Sequence, residues 1–169
     1  MDKTAIGVSP NGDYIVTTRS RVDDTPVSLL LDRQGNTVMT IETADLSGMP
    51  DGWQWPKPEK TTAADGKTDI YSVVFRPSHF SPDRSYPVVD FSYDYLMPVG
   101  SFSNNGVGSW MYLTAASIAE LGFIVVMTNS RGTGLRHKSF DTDRDTLYKS
   151  ASSPLWTTSL SKSDCVTAI

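Results

Sequence analysis

Gly122-Phe123-Ile124-Val125-Val126-Met127 is the longest apolar run in the chain, and what surrounds it decides the fold. Phe123 to Met127 are all apolar and the centre is β-branched, which reads as a strand buried on both faces. Upstream, Trp110, Leu113, Ala116, Ser117 and Leu121 recur at helical spacing. Ser109 stands where an N-cap would, and Gly122 where a helix commonly stops. The spacing therefore predicts a helix over 110–121 that lays this stripe against a sheet. Earlier still, Pro87-Val88-Val89-Asp90-Phe91-Ser92-Tyr93 is a second, largely apolar run, also read as a buried strand. Strand, helix and strand in this order predict a right-handed crossover joining parallel strands, with 94–108 as a long loop.

Toward the N-terminus, the segments 61–64 and 70–76 flank Asp65-Gly66-Lys67, a hairpin signal. Before them, Leu46-Ser47-Gly48-Met49-Pro50-Asp51-Gly52 is rich in breakers, and Trp53-Gln54-Trp55-Pro56-Lys57-Pro58 follows. Prolines interleaved with tryptophans read as an extended crossing pinned by packing. Residues 1–41 read as β throughout. Ile6-Gly7-Val8 precedes the turn Ser9-Pro10-Asn11-Gly12-Asp13, and Tyr14-Ile15-Val16-Thr17-Thr18 follows it. The segments 27–31 and 37–41 supply two more strands around Asp32-Arg33-Gln34-Gly35. Short strands at this spacing suggest a meander, a sandwich or a propeller blade. The fold class expected is thus α/β, preceded by an all-β segment. The expected divisions are 1–41, a linker over 42–60, and an α/β unit from 61 to 169.

Length alone, 169 residues, suggests one domain. A net charge of -4 and the lack of a basic run argue against nucleic acid. No apolar run approaches a membrane span, so no membrane partner is expected. Met1-Asp2-Lys3-Thr4 does not open a secretory signal, and no location follows from that. One cysteine and two histidines leave no disulfide framework and little room for a zinc site. No cofactor is expected.

In open α/β sheets, chemistry gathers outside the carboxyl ends of the strands. That places Tyr93, after one strand, and Arg131, after the other, in view. A tyrosine there is either a packed strand-end residue or a donor to a developing oxyanion. Arg131 is either a structural ion-pair partner or an anion holder. Gly132-Thr133-Gly134 lacks the third glycine of a dinucleotide fingerprint, because position 137 is His. No Gly-x-Ser-x-Gly elbow occurs in the chain. His79 and His137 precede any downstream elbow, so neither fits the triad order Ser, acid, His; both read as surface or loop histidines. Cys165 reads as a buried helix residue. Asp141, Asp143 and Asp145 alternate as calcium ligands can, without the glycine and late Glu of a calcium loop. Ser163-Asp164-Cys165-Val166-Thr167-Ala168-Ile169 opens a helix that stops within two turns, as a truncation would.

Taken in order, these segments resemble the prolyl oligopeptidase family of serine peptidases, in its dipeptidyl-peptidase-like branch. The resemblance rests on Val8-Ser9-Pro10-Asn11-Gly12-Asp13-Tyr14, Trp55-Pro56-Lys57-Pro58-Glu59, Asp65-Gly66-Lys67-Thr68-Asp69-Ile70-Tyr71-Ser72-Val73-Val74-Phe75-Arg76-Pro77, Tyr93, and Asn129-Ser130-Arg131-Gly132-Thr133-Gly134. It covers roughly residues 5–140 and implies the end of a β-propeller handing over to the start of an α/β-hydrolase domain. It further implies a peptidase acting on short peptides through an acyl-enzyme, with Tyr93 as an oxyanion-hole donor. Asn129, Arg131, Gly132 and Gly134 become a site loop organised by Arg131. Asp94-Tyr95 departs from the small residues usual after that tyrosine. The resemblance places the catalytic Ser, Asp and His beyond Ile169, so this chain alone is expected to be inactive. Two other readings stay open: a non-catalytic interaction module of the same fold, and an esterase. Unpaired sheet edges make self-association and poor stability further expectations.

Overall fold

The computed structural model describes residues 2–63, 65–91 and 107–129. Among these residues the chain is mostly β, with two four-stranded sheets and one helix. The first sheet runs β1 (Asp2–Val8), β2 (Tyr14–Arg21), β3 (Asp24–Asp32) and β4 (Thr37–Thr43), each antiparallel to the next. This is the meander that the turn spacing suggests. The short piece around Ile6 is in fact a full strand paired along β2. Its turns are closed by side chains. The Asp32 carboxylate accepts bonds from the Asn36 side chain (2.9 Å) and from the backbone N–H groups of Asn36 (2.8 Å) and Gln34 (2.9 Å). Those bonds, the Asn36 side chain first, hold its carboxyl below the usual range. β4 is exposed along its whole length, because only β3 pairs with it among the described residues.

The second sheet has the order β5 (Lys57–Thr62), β6 (Asp69–Phe75), β8 (Ile124–Asn129), β7 (Val88–Asp90), with helix α1 (Val107–Glu120) between β7 and β8 in the chain. β7 and β8 are parallel, as the crossover requires, whereas β5–β6 and β6–β8 are antiparallel. The sheet is therefore mixed. β5 starts at Lys57, earlier than the hairpin signal alone suggests, and Pro58 sits within it opposite Val73. A proline fits there because, among the described residues, β5 pairs only with β6, and at a sheet edge one row of backbone groups needs no partner. β7 was expected to be buried, but Val88 is exposed and Val89 half-buried. The cause is again position: among the described residues β7 pairs only with β8, on one side.

The core lies between α1 and one sheet face, where Met111, Tyr112, Ala115 and Ala119 pack on Val73, Phe75, Val125 and Met127. This corrects the expected helix face. Of the expected stripe, Trp110 (61% exposed), Leu113, Ser117 and Leu121 are exposed, and Ala116 packs half-buried against the core. Alanines at 115 and 119 let the helix backbone approach the sheet closely, and the large Met111 and Tyr112 fill the space at its other end. A face with larger side chains at every turn would hold the helix further off. The opposite sheet face, Val74, Ile124 and Val126, is covered by Phe80 and Tyr86, whose rings stack at 5.2 Å.

Two contacts tie the parts together. The Tyr112 hydroxyl donates to the Val22 carbonyl (3.0 Å), just past the end of β2, and Val22 packs against the core under α1. The Ser78 N–H and hydroxyl donate to the Glu120 carboxylate at 3.1 and 2.8 Å. A carboxylate in the last helical turn opposes the helix dipole, so Ser78 supplies what keeps it there. Glu120→Ala is expected to lower stability by about 0.5–1.5 kcal/mol, read as a lower urea midpoint at an unchanged denaturant slope. An unchanged midpoint would show that the bond contributes nothing.

Candidate functional site

Parallel pairing sends the ends of β7 and β8 to one edge of the second sheet. Asp90 pairs with Val126, and the Phe91 N–H donates to the Val126 carbonyl (2.9 Å), so β7 stays attached one residue past its end. β8 continues to Thr128 and Asn129 on the same edge. Because β6 runs the other way, its beginning arrives here too: Tyr71 lies opposite Asn129 and Ser72 opposite Thr128. The Ser72 and Thr128 hydroxyls bond each other at 3.0 Å, which satisfies two hydroxyls between the largely apolar strands β6 and β8. Beside them the Lys60 ammonium meets the Asp69 carboxylate at 2.9 Å. The bond to Asp69, then its charge, then the neighbouring Tyr71, raise the Lys60 pKa. The edge thus gathers Asn129, Tyr71 and a Lys60–Asp69 pair, with Asp90 ending β7 three residues earlier, level with Val126.

Of the residues that the resemblance assigns to a site, Asn129 lies within the described structure, half-buried at the end of β8. Tyr93, Arg131, Gly132 and Gly134 lie outside the described residues, as do His137, Asp141, Asp143, Asp145 and Cys165. Tyr93 follows β7 by three residues and Arg131 follows β8 by two. His79 is exposed in the loop after β6. That loop leaves from Phe75, opposite Val125 near the start of β8, and so lies at the far end of the sheet from Asn129. Tyr71 and the Ser72–Thr128 pair escaped the sequence reading. The available signal was polarity: Ser72 and Thr128 interrupt apolar strands at positions that could be buried only if paired. Among the described residues, no cluster of His, Cys, Asp or Glu could hold a metal ion. No described helix is long and apolar enough to cross a membrane.

No protein-family model matches the chain. Among solved structures, it is similar to a protein of Bacteroides ovatus that carries the provisional name dipeptidyl aminopeptidase IV. The two share 27% identity over 83% of this chain, with a TM-score of 0.64. The chain spans 20% of that protein's length. This likeness supports an origin in the dipeptidyl-peptidase-IV-like, prolyl oligopeptidase group.

Proposed function

We propose that the chain is the junction of a serine-type oligopeptidase, with the β1–β4 meander from the end of a propeller and the second sheet, from β5 onward, opening an α/β-hydrolase domain. The observation that carries this reading is the β7–α1–β8 crossover preceded by the β1–β4 meander. It brings two parallel strand ends to one edge, the place where hydrolases of this architecture assemble their chemistry. The likeness to the Bacteroides ovatus protein supports it. In this reading a serine C-terminal to Ile169 attacks the scissile carbonyl, and a histidine shuttles the proton. The Tyr93 phenol and a backbone N–H donate to the oxyanion, and Arg131 organises the loop from Asn129 to Gly134. The substrate is a short peptide, since the propeller restricts access. The meander favours a peptidase over an esterase, which needs no such filter.

The test uses the protein translated from the whole reading frame that contains this chain. A fluorophosphonate should label one serine C-terminal to Ile169 and block hydrolysis of a dipeptidyl amide. Tyr93→Phe should lower kcat about 10²–10³-fold with little change in KM, as loss of one oxyanion donor does. Absence of labelling, or full activity in Tyr93→Phe, would overturn the reading or the role of Tyr93 respectively. The 169-residue chain by itself should neither be labelled nor turn over substrate.

A further inference from the structure

Asn11-Gly12 is a dipeptide prone to spontaneous deamidation, and Asn11 is exposed. In that reaction the Gly12 nitrogen loses its proton and attacks the Asn11 side-chain carbon. A C–N bond forms, the side-chain nitrogen leaves as ammonia, and water opens the succinimide to aspartate or isoaspartate. The attack needs a free Gly12 N–H and a side chain able to swing over it.

The turn supplies neither. The Gly12 N–H donates to the Ser9 carbonyl at 2.8 Å. Asn11 Oδ1 accepts from the Ser9 hydroxyl (2.8 Å) and the Asp13 N–H (3.3 Å), and Asn11 Nδ2 donates to the Asp13 carboxylate (2.5 Å). Both ends of the carboxamide are thus tied in one rotamer. The tie is itself anchored. The Ser9 hydroxyl accepts from the Tyr14 N–H (2.9 Å), and Arg33, from the β3–β4 turn, donates to the Asn11 carbonyl (3.1 Å) and pairs with Asp13 (2.9 Å). Bonds to Oδ1 polarise the carbon toward attack. They also forbid the rotation that attack requires, and the second effect wins because the leaving nitrogen and the attacking nitrogen are both engaged elsewhere.

We propose that Ser9, Asp13 and Arg33 form a clamp that protects the Asn11-Gly12 site from deamidation. The consequence of losing protection is local and large. Aspartate at 11 would replace the Nδ2 donor with a second carboxylate against Asp13, and isoaspartate would add a backbone atom to the β1–β2 hairpin.

The experiment is peptide mass mapping of the 169-residue chain after incubation at mildly alkaline pH, folded and in urea. The urea-unfolded chain gives the reference rate at Asn11-Gly12 and at the other Asn-Gly pair, Asn105-Gly106. Folded Asn11 should convert about 10–100-fold more slowly than unfolded Asn11, because the bonds that hold the carboxamide and the Gly12 N–H must break first. Asp13→Ala, which frees Nδ2 and removes the Arg33 ion pair, should recover much of that rate; Ser9→Ala, which frees only Oδ1 and leaves the Gly12 N–H on the Ser9 carbonyl, should recover less, and Ser9→Thr, which keeps the hydroxyl, should not. Arg33→Ala touches only the anchor and serves if Asp13→Ala fails to fold; it should accelerate conversion by a smaller factor. Equal rates in the folded and unfolded chain would overturn the proposal. So would a slow rate that persists in a folded Asp13→Ala or Arg33→Ala chain.

Discussion

Tyr112→Ala is expected to cost about 3–5 kcal/mol, as removal of a buried aromatic ring does, which is a large part of the stability of a domain this size. Tyr112 is 1% exposed, its ring meets Phe75 edge-on at 4.9 Å, and its hydroxyl holds the Val22 carbonyl. One side chain therefore serves the helix–sheet core and the contact with the first sheet. Tyr112→Phe keeps the ring and should cost about 1–2 kcal/mol for the orphaned carbonyl. The two variants separate packing from the bond, and chemical denaturation of each reads the difference.

The hydroxyl also predicts a pH dependence. Burial first, and the charge of Asp23 second, raise the Tyr112 phenol well above its ordinary value. The folded state therefore holds this proton more tightly than the unfolded state. The stability linked to it is fully present below the ordinary phenol pKa of about 10, and it declines as pH rises from there toward the folded value. Urea midpoints of the wild-type chain should fall above that pH more steeply than those of Tyr112→Phe. Parallel declines would show that Tyr112 does not titrate differently in the two states.

Gly52→Ala is the second large effect. Gly52 has φ +77°, and a Cβ there would lie 2.8 Å from the carbonyl oxygen of Ser78. The obstacle is backbone, held by a residue that also anchors Glu120, so it cannot rotate aside. Strain at positive φ and the clash together are expected to cost about 2–4 kcal/mol. Gly35→Ala is the control, because φ is +85° there and no atom lies within 4 Å of the added Cβ. It should lose only about 1 kcal/mol. If the two variants melt alike, the approach of the 49–53 turn to Ser78 does not constrain the fold.

These positions show how unevenly the chain could be read. The turn at Gly52 was legible as a breaker, but its contact with Ser78 joins residues far apart in sequence. The hairpin around Asp65-Gly66-Lys67 and the β7–α1–β8 crossover were legible because turn chemistry and periodicity are local. The buried face of α1 was not. Trp110, Leu113 and Leu121 make a better apolar stripe than Met111, Tyr112, Ala115 and Ala119 by hydropathy, yet the latter face the sheet. Close approach selects small residues at the centre of a helix–sheet contact, and hydropathy does not record size.

At the candidate edge, following strands to their ends led to Tyr93 and Arg131, and Asn129 came only with the resemblance of the 129–134 loop. Tyr71 could not be found that way, because it begins a strand rather than ending one. It reaches the same edge only because β6 is antiparallel to β8. Strand direction depends on long-range pairing, which no local pattern specifies. The sequence by itself determined where the strands, the turns and the crossover helix lie, since those follow from backbone preferences of neighbouring residues. The tertiary structure alone decided the mixed direction of the second sheet, the inward face of α1 and the Tyr112–Val22 bond. Each of these depends on which distant surfaces fit closely enough to exclude water.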